Sequence, residues 1–223
     1  MNYLELKKYL FNLKDEKFAN FSKSLSNSDY EVIGVKNPIL RELIKEHKDN
    51  NELDPNDFEL GKYLEIDFIY FGLSLSRLKN IWEQLSFLKN NIKFAKSWAI
   101  TDIVPSYLKK YTFDQFYSFF LDSYKSKNLY ERRLAYVLGL KLSKDENILK
   151  ILNLIVLNEE YMVMMSEAWL LQTIAITYED EVYNYLKNID DVALIRKAIS
   201  KICDSFRFNE SSKNRFKELR KNL

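Results

Sequence analysis

Residues 112–120 read TFDQFYSFF, and this stretch carries both signals of an amphipathic helix. Thr112 and Gln115 have the spacing of a capping box, in which two side chains satisfy the N–H groups that a helix leaves free at its start. The aromatic residues that follow recur at intervals of three and four, so they share one helix face. The stretch therefore predicts a helix that begins after Thr112 and buries an aromatic face.

Similar signals recur along the rest of the chain. Asn37-Pro38 and Asp54-Pro55 each place a proline at a first helical position, and Ser143 with Glu146 has the spacing of a second capping box. Apolar residues follow at helical intervals, and no sustained alternation of period two is present. We expect about a dozen helices of roughly 8–18 residues, joined by short turns.

The composition favours the same fold class. The chain has 223 residues, of which 47% are hydrophobic, with only 4 Gly and 3 Pro. Sheets and loop-rich folds need more turn residues than this. We predict an all-α protein with a single domain spanning residues 1–223. Helix pairs of about 35–40 residues are typical of HEAT-like repeats, which stack into an α-α superhelix, or solenoid, with a concave face.

Charge and cysteine content exclude several classes of protein. The formal net charge of +2 is not that of a strongly basic, non-specific nucleic-acid binder. Cys203 is the only cysteine, which excludes an intramolecular disulfide and any zinc site built from several thiolates. No apolar run approaches the roughly 18 residues of a membrane span. We expect a cytoplasmic protein without a metal, a cofactor or a membrane partner.

Two residues one helical turn apart, Trp98 and Asp102, are the strongest candidates for a functional site. An aromatic ring beside a carboxylate can stabilise a cation. Arg133 follows Trp98 by 35 positions, and Trp169 follows Arg133 by 36. If the chain repeats with that period, the four side chains line one surface.

Five segments occur in order along the chain: residues 30–41 (YEVIGVKNPILR), 96–102 (KSWAITD), 131–135 (ERRLA), 168–171 (AWLL) and 196–202 (RKAISKI). Together they resemble the AlkD-like DNA alkylation repair glycosylases. The order and spacing match from about residue 30 to residue 208. Ala99 and Met164 depart from the pattern, since related sequences often carry an aromatic and a basic residue near these motifs.

The resemblance implies a HEAT-like solenoid whose concave face holds double-stranded DNA. It implies hydrolysis of the N-glycosidic bond of positively charged alkylpurines such as 3-methyladenine and 7-methylguanine, with the lesion remaining stacked. Carried over by residue, Asp102 is the catalytic carboxylate, Trp98 and Trp169 flank the deoxyribose of the lesion, and Arg133 holds the DNA backbone. The implied protein is a monomer of the bacterial cytoplasm and nucleoid.

Further basic residues are candidates for contacts with phosphate. They are Arg132, Lys96, Arg196, Lys197 and Lys201. Two other functions stay open: a DNA-binding relative without catalysis, and a solenoid that binds another protein. Trp98 and Trp169 also suit core packing, and Trp82 is expected to pack between repeats.

Overall fold

The computed structural model describes residues 1–26, 29–155 and 160–221. Within these ranges the regular structure is helical, apart from one isolated parallel bridge between Glu31 and Tyr63. The described residues include twelve α-helices of 10–15 residues, which confirms the all-α fold and the predicted helix lengths. None of the helices in this part of the chain is long and apolar enough to cross a bilayer.

The chain divides into two compact units, Met1–Tyr111 and Thr112–Leu223, and each is described by itself. The single domain of residues 1–223 stays a prediction. In the first unit, α4 packs against both α3 and α6. Its α-helices are α1 (Tyr3–Asn12), α2 (Glu16–Ser26), α3 (Asn37–His47), α4 (Leu64–Arg77), α5 (Ile81–Asn91) and α6 (Trp98–Tyr107).

In the second unit, α9 is the central helix and packs against α8, α10 and α11, while α11 also packs against α12. The α-helices are α7 (Phe113–Ser123), α8 (Leu129–Gly139), α9 (Tyr161–Ala175), α10 (Glu179–Asn188), α11 (Val192–Asp204) and α12 (Glu210–Lys221). Short 3₁₀ helices cover Pro55–Asp57 and Ile92–Phe94 in the first unit, and Leu140–Leu142 and Glu146–Leu154 in the second.

The capping signals are confirmed at one position and wrong at another. Thr112 and Gln115 form the predicted capping box at the start of α7. The box of Ser143 with Glu146 does not form, because the carboxylate of Asp145 accepts the Asn147 N–H at 3.0 Å and begins a 3₁₀ helix instead. The Asp145 carboxylate makes a tight turn with an N–H group two residues later, and this turn competes with capping by the Ser143 hydroxyl.

Trp82 does not pack between helices, and this prediction was wrong. Its side chain is 59% exposed on α5. The buried residues of α5 are Ile81, Gln84, Leu85 and Leu88, at the intervals of one helix face. Trp82 lies one position beyond Ile81 and therefore points about 100° away from that face.

Two glycines have backbone conformations that residues with a Cβ rarely adopt, Gly34 with φ +98° and Gly61 with φ +84°. A Cβ on Gly34 would lie 2.1 Å from the carbonyl oxygen of Asp15, which is backbone and cannot rotate away. A Cβ on Gly61 would lie 3.3 Å from the Nζ of Lys96, at the end of a flexible side chain. The two positions therefore share the backbone strain and differ in the clash.

We predict that Gly34→Ala destabilises the protein much more than Gly61→Ala. Backbone strain alone costs about 1–2 kcal/mol at either position, and the clash at Gly34 raises the loss there to about 3 kcal/mol or more. The free energy of unfolding, measured by urea titration, checks this. Equal losses for the two variants would contradict the steric argument.

Candidate functional site

Helix α6 begins at Trp98, with Ser97 as its N-cap. The Ser97 side chain is fully buried and accepts the Ala99 N–H at 3.2 Å. Because α6 is helical from Trp98 onward, Asp102 lies one turn later on the same face as Trp98. Both side chains are half-buried, so each presents part of its surface to solvent.

Short contacts fix the orientation of this helix face. The indole Nε1 of Trp98 donates to the carbonyl of Leu25, in the last turn of α2, at 3.3 Å. The Thr101 hydroxyl donates to the Trp98 carbonyl at 3.0 Å and lies 3.3 Å from Oδ1 of Asp102. The indole is thus held at its edge by α2.

A buried hydrogen-bond network lies beneath the start of α6. The phenol oxygen of Tyr30 lies 2.6 Å from Oδ2 of Asp67, is also within hydrogen-bond reach of the Phe94 carbonyl, and accepts the Lys96 N–H at 3.2 Å. The Gly61 N–H donates to Asp67 at 2.9 Å. Tyr30 and Asp67 are both fully buried. The network therefore ties the backbone that leads into Trp98 to helix α4.

Burial raises the pKa of Asp67 from its ordinary value of 3.8 to about 6. Hydrogen bonds from Tyr30 and from the Gly61 N–H, and the charge of Lys96, act in the opposite direction but do not cancel the effect of burial. Tyr30 has one hydrogen for two acceptors within reach, so the Phe94 carbonyl competes with Asp67 for it and weakens the hydrogen bond that would lower the pKa of Asp67.

A second buried carboxylate on α4 holds the preceding loop. Glu65 is 2% exposed, and its oxygens accept the N–H groups of Ile33 at 3.0 Å, Gly34 at 2.7 Å and Val35 at 3.2 Å. Sequence reasoning missed both Glu65 and Asp67. The signal was present, because they stand in a long apolar run, residues 64–75 (LEIDFIYFGLSL), where an acidic side chain needs buried partners.

In the second unit, the two predicted arginines contact the start of α9. Arg133 is only 5% exposed, and its Nη1 donates to the Met162 carbonyl at 2.6 Å. Arg132 donates from Nη1 to the Ser126 carbonyl at 2.7 Å, and its Nη2 lies 2.6 Å from Oε1 of Glu160. The ion pair with Arg132 lowers the pKa of Glu160. Both guanidinium groups therefore bind protein atoms, and their contacts with phosphate stay a prediction.

Trp169 lies in α9, half-buried, with its carbonyl accepting the Thr173 hydroxyl at 2.8 Å. The neighbouring α11 carries Arg196, which is exposed, and Lys197 and Lys201, which are half-buried. The Nζ of Lys197 lies 5.3 Å from the ring centroid of Tyr161, at the start of α9. The second unit thus holds one candidate indole on α9 and three basic residues on the adjacent helix α11.

The candidate residues fall into two groups. The first unit brings Trp98, Asp102 and Lys96 together at the start of α6, where Lys96 is exposed. The second unit holds the others, in the arrangement given above. In the ranges 1–26, 29–155 and 160–221, no group of three or more His, Cys, Asp or Glu residues could hold a metal ion.

Comparison with known proteins identifies the family of the chain and a similar fold. Residues 6–202 match the model of a family described as DNA alkylation repair enzyme, so the chain belongs to that family. A solved structure, a predicted DNA alkylation repair enzyme from Enterococcus faecalis, has a similar fold with a TM-score of 0.68. The two sequences are 16% identical, and the match covers 86% of this chain and 98% of the other. Among curated proteins there is no significant match.

We predict that Asp67→Asn removes a pH dependence of stability. A carboxyl whose pKa is higher in the folded state stabilises the protein below its unfolded pKa, and this contribution is lost as pH rises through about 6. Asparagine stays neutral, can donate to Tyr30 and can accept the Gly61 N–H. Relative to the unsubstituted protein, the variant should therefore gain on the order of 2 kcal/mol between pH 4 and pH 8.

Urea unfolding of both proteins across this pH range measures the difference. Asp57→Asn, a substitution of an exposed carboxylate in the same unit, is the control and should leave the pH profile as it is. Parallel profiles for Asp67→Asn and the unsubstituted protein would show that Asp67 does not titrate there.

Proposed function

We propose that this protein is a DNA glycosylase that hydrolyses the N-glycosidic bond of positively charged alkylpurines in duplex DNA. Two facts support the proposal: the chain belongs to the DNA alkylation repair enzyme family, and an indole and a carboxylate lie one turn apart at the start of α6. The second is the observation that carries it. The class of reaction follows from what these two side chains can do.

Alkylation at a ring nitrogen gives the purine a positive charge, which makes the base a good leaving group. No general acid is then needed, and the barrier lies in the sugar, which gains oxocarbenium character as the bond breaks. A group that is more attractive to the sugar in the transition state than in the ground state lowers this barrier. A fixed carboxylate is such a group.

Asp102 is the proposed carboxylate. At about 4 Å and an effective dielectric constant near 20, its attraction to a full positive charge is on the order of 4 kcal/mol. The indoles of Trp98 and Trp169 are proposed to pack against the deoxyribose of the lesion. Each adds roughly 0.5–2 kcal/mol of attraction for a nearby cation. Water forms the new bond to C1′ of this sugar and releases a proton, while the base leaves with the electron pair of the broken C–N bond. Hydrolysis by this route uses no metal and no cofactor.

Contacts with the DNA backbone are proposed for the exposed and half-buried basic residues. These are Lys96 in the first unit, and Arg196, Lys197 and Lys201 on α11. Arg132 and Arg133 are also proposed to contact the DNA backbone. They have a structural role as well, because their guanidinium groups bind Glu160 and the Met162 carbonyl at the start of α9. Their removal therefore alters the protein as well as any contact with DNA.

We predict that Asp102→Asn slows base release about 100-fold while the Kd for duplex DNA changes less than about threefold. The amide keeps the size of the side chain and removes the charge that stabilises the transition state. The measurement is the rate of release of 3-methyladenine and 7-methylguanine from methylated duplex DNA, under single-turnover conditions.

The control is Asp122→Asn, which removes the same charge from an exposed position on α7. It should leave the rate of release unchanged. If the unsubstituted protein releases no base at high concentration but binds duplex DNA, the non-catalytic alternative replaces this proposal. If Asp102→Asn weakens binding as much as it slows release, the assigned role is wrong.

We predict that substitutions of two arginines of the second unit differ in their effect on the free energy of unfolding. Arg196→Gln should leave the free energy of unfolding within about 0.5 kcal/mol, because Arg196 is exposed. It should weaken binding to duplex DNA and reduce the slope of log K against log salt by about 0.9. Arg133→Gln should destabilise the protein by about 1–3 kcal/mol, because a bond from a buried guanidinium to the Met162 carbonyl is lost.

Urea unfolding and DNA titrations at several salt concentrations measure both effects. A salt slope that is unchanged in Arg196→Gln would remove this residue from the DNA-binding set. Equal losses of stability in the two variants would contradict the contrast in burial.

A further inference from the structure

A groove with a volume of about 560 Å³ lies in the second unit, between the 3₁₀ helix Glu146–Leu154 and α10. Its apolar lining consists of Leu149, Leu152 and Ile155 on one wall and Ile189 on the other. The volume is within the roughly 300–1,000 Å³ that is typical of ligand sites. In the described part of the chain, none of the residues that line the groove belongs to the proposed catalytic or DNA-binding set.

Three exposed asparagines also line this groove, Asn153 on the first wall and Asn184 and Asn188 on α10. Their side-chain amides form no hydrogen bond within residues 1–26, 29–155 and 160–221. Each amide presents both donors and an acceptor at its end. A ligand that carries N–H and C=O groups side by side therefore matches each asparagine with two hydrogen bonds.

The spacing of two of the asparagines matches the backbone of an extended peptide. Asn184 and Asn188 are four residues apart on one helix, so they share a face and lie about 6 Å apart along the helix axis. In an extended chain every second residue directs its N–H and C=O to the same edge, at intervals of roughly 6.6 Å. Asn184 and Asn188 can thus bond to two alternate residues of one extended peptide.

One end of the groove is acidic. The Tyr178 hydroxyl, just before α10, donates to the Lys144 carbonyl at 2.9 Å, so the two walls begin at the same end. Burial, and then the negative charges of Glu146, Asp145 and Glu181, raise the pKa of Tyr178, so these carboxylates lie near its phenol. Of the three, Glu181 lines the groove. This end attracts a cationic side chain and repels phosphate.

We propose that the groove binds an extended segment of a partner protein, about three to four residues long, with a lysine or arginine at the acidic end. Asn184 and Asn188 bond to the main chain of this segment, and Glu181 attracts its cation. Leu149 and Leu152 contact its apolar side chains. Nucleic acids also carry groups that bond to amides, but their phosphates are repelled by the carboxylates. The inference goes beyond the proposed glycosylase and does not depend on it.

The test compares the peptide Ac-Lys-Leu-Ser-Leu-NH2 with Ac-Glu-Leu-Ser-Leu-NH2, which differs from it in one charged side chain. Each is titrated into the isotope-labelled protein, and NMR follows the side-chain amide signals of Asn184 and Asn188. The lysine peptide should shift these signals until they saturate. The glutamate peptide should bind about two- to fivefold more weakly, as expected for exposed charges.

Asn184→Ala should weaken binding of the lysine peptide about three- to tenfold, because its hydrogen bonds to the peptide backbone are lost. Asn214→Ala is the matched control, since Asn214 is an exposed asparagine on α12 that does not line the groove. It should leave the Kd of the lysine peptide unchanged. Glu181→Gln should bring the Kd values of the two peptides closer together, because it removes a charge that distinguishes them.

Saturable binding with a preference for lysine, and the predicted loss in Asn184→Ala, would support the inference whether or not the protein releases bases. The inference would be wrong if neither peptide shifts the two amide signals at millimolar concentrations, or if both peptides bind equally. Equal losses in Asn184→Ala and Asn214→Ala would also contradict it. If a short single-stranded oligonucleotide shifts these signals and the peptides do not, the groove is a nucleic-acid site and the inference is refuted. Absence of base release refutes the proposed glycosylase alone.

Discussion

Two carboxylates, Glu65 and Asp67, are buried inside the apolar helix α4, and the first unit is arranged around the need to satisfy them. The burial of an ionised carboxylate without partners is unfavourable by more free energy than the packing of one helix contributes. Glu65 therefore receives three N–H groups from residues 33–35, and Asp67 receives Gly61 and Tyr30. Gly34 and Gly61, with positive φ values, let the backbone turn these N–H groups inward.

Hydrogen bonds of the same network connect α4 to the segment that precedes α6. Tyr30 contacts Asp67 on one side, and the Phe94 carbonyl and Lys96 N–H on the other, so the segment before α6 is held from below. Trp98 and Asp102 follow on the first turn and the next, where helix geometry fixes their directions. A site held in this way loses little conformational entropy when it meets a ligand, and preorganisation is what makes electrostatic stabilisation effective.

The two buried carboxylates differ in the partners that satisfy them. Asp67 is bonded to a phenol that has a second acceptor, and its pKa rises to about 6. Glu65 faces three N–H donors, which accept nothing in return. Glu65 thereby holds the backbone of residues 33–35 against α4.

Much of the fold could be predicted from the sequence, because its signals are local. The capping box of Thr112 with Gln115, the helical spacing and the scarcity of turn residues all act over a few residues, and the twelve α-helices follow from them. Ser143 failed as a cap because Asp145 is a stronger local competitor. Trp82 is exposed because its position relative to Ile81, Gln84 and Leu85, and not its size, decides its direction.

The site was less accessible to prediction, because its supports join residues far apart in the chain. Arg133 stands among charged residues at a helix start, which is typical of a solvated position. In its buried position it binds the Met162 carbonyl, 29 residues later, and no local sequence pattern predicts that partner. Tyr30 and Asp67 are 37 residues apart, and again only the tertiary structure joins them.

The proposed contact with DNA depends on where the basic residues lie, because the net charge of the chain is only +2. Arg132 and Arg133 are held by Glu160 and the Met162 carbonyl, so their charges act mainly on the packing of α8 against α9. Exposed cations such as Arg196 and Lys96 keep their charge available at the surface. Surface charges lose most of their range beyond about 8–10 Å at physiological salt. Under the proposed function, attraction to DNA is therefore expected to be short-range and sensitive to salt, and discrimination is assigned to Trp98 and Asp102.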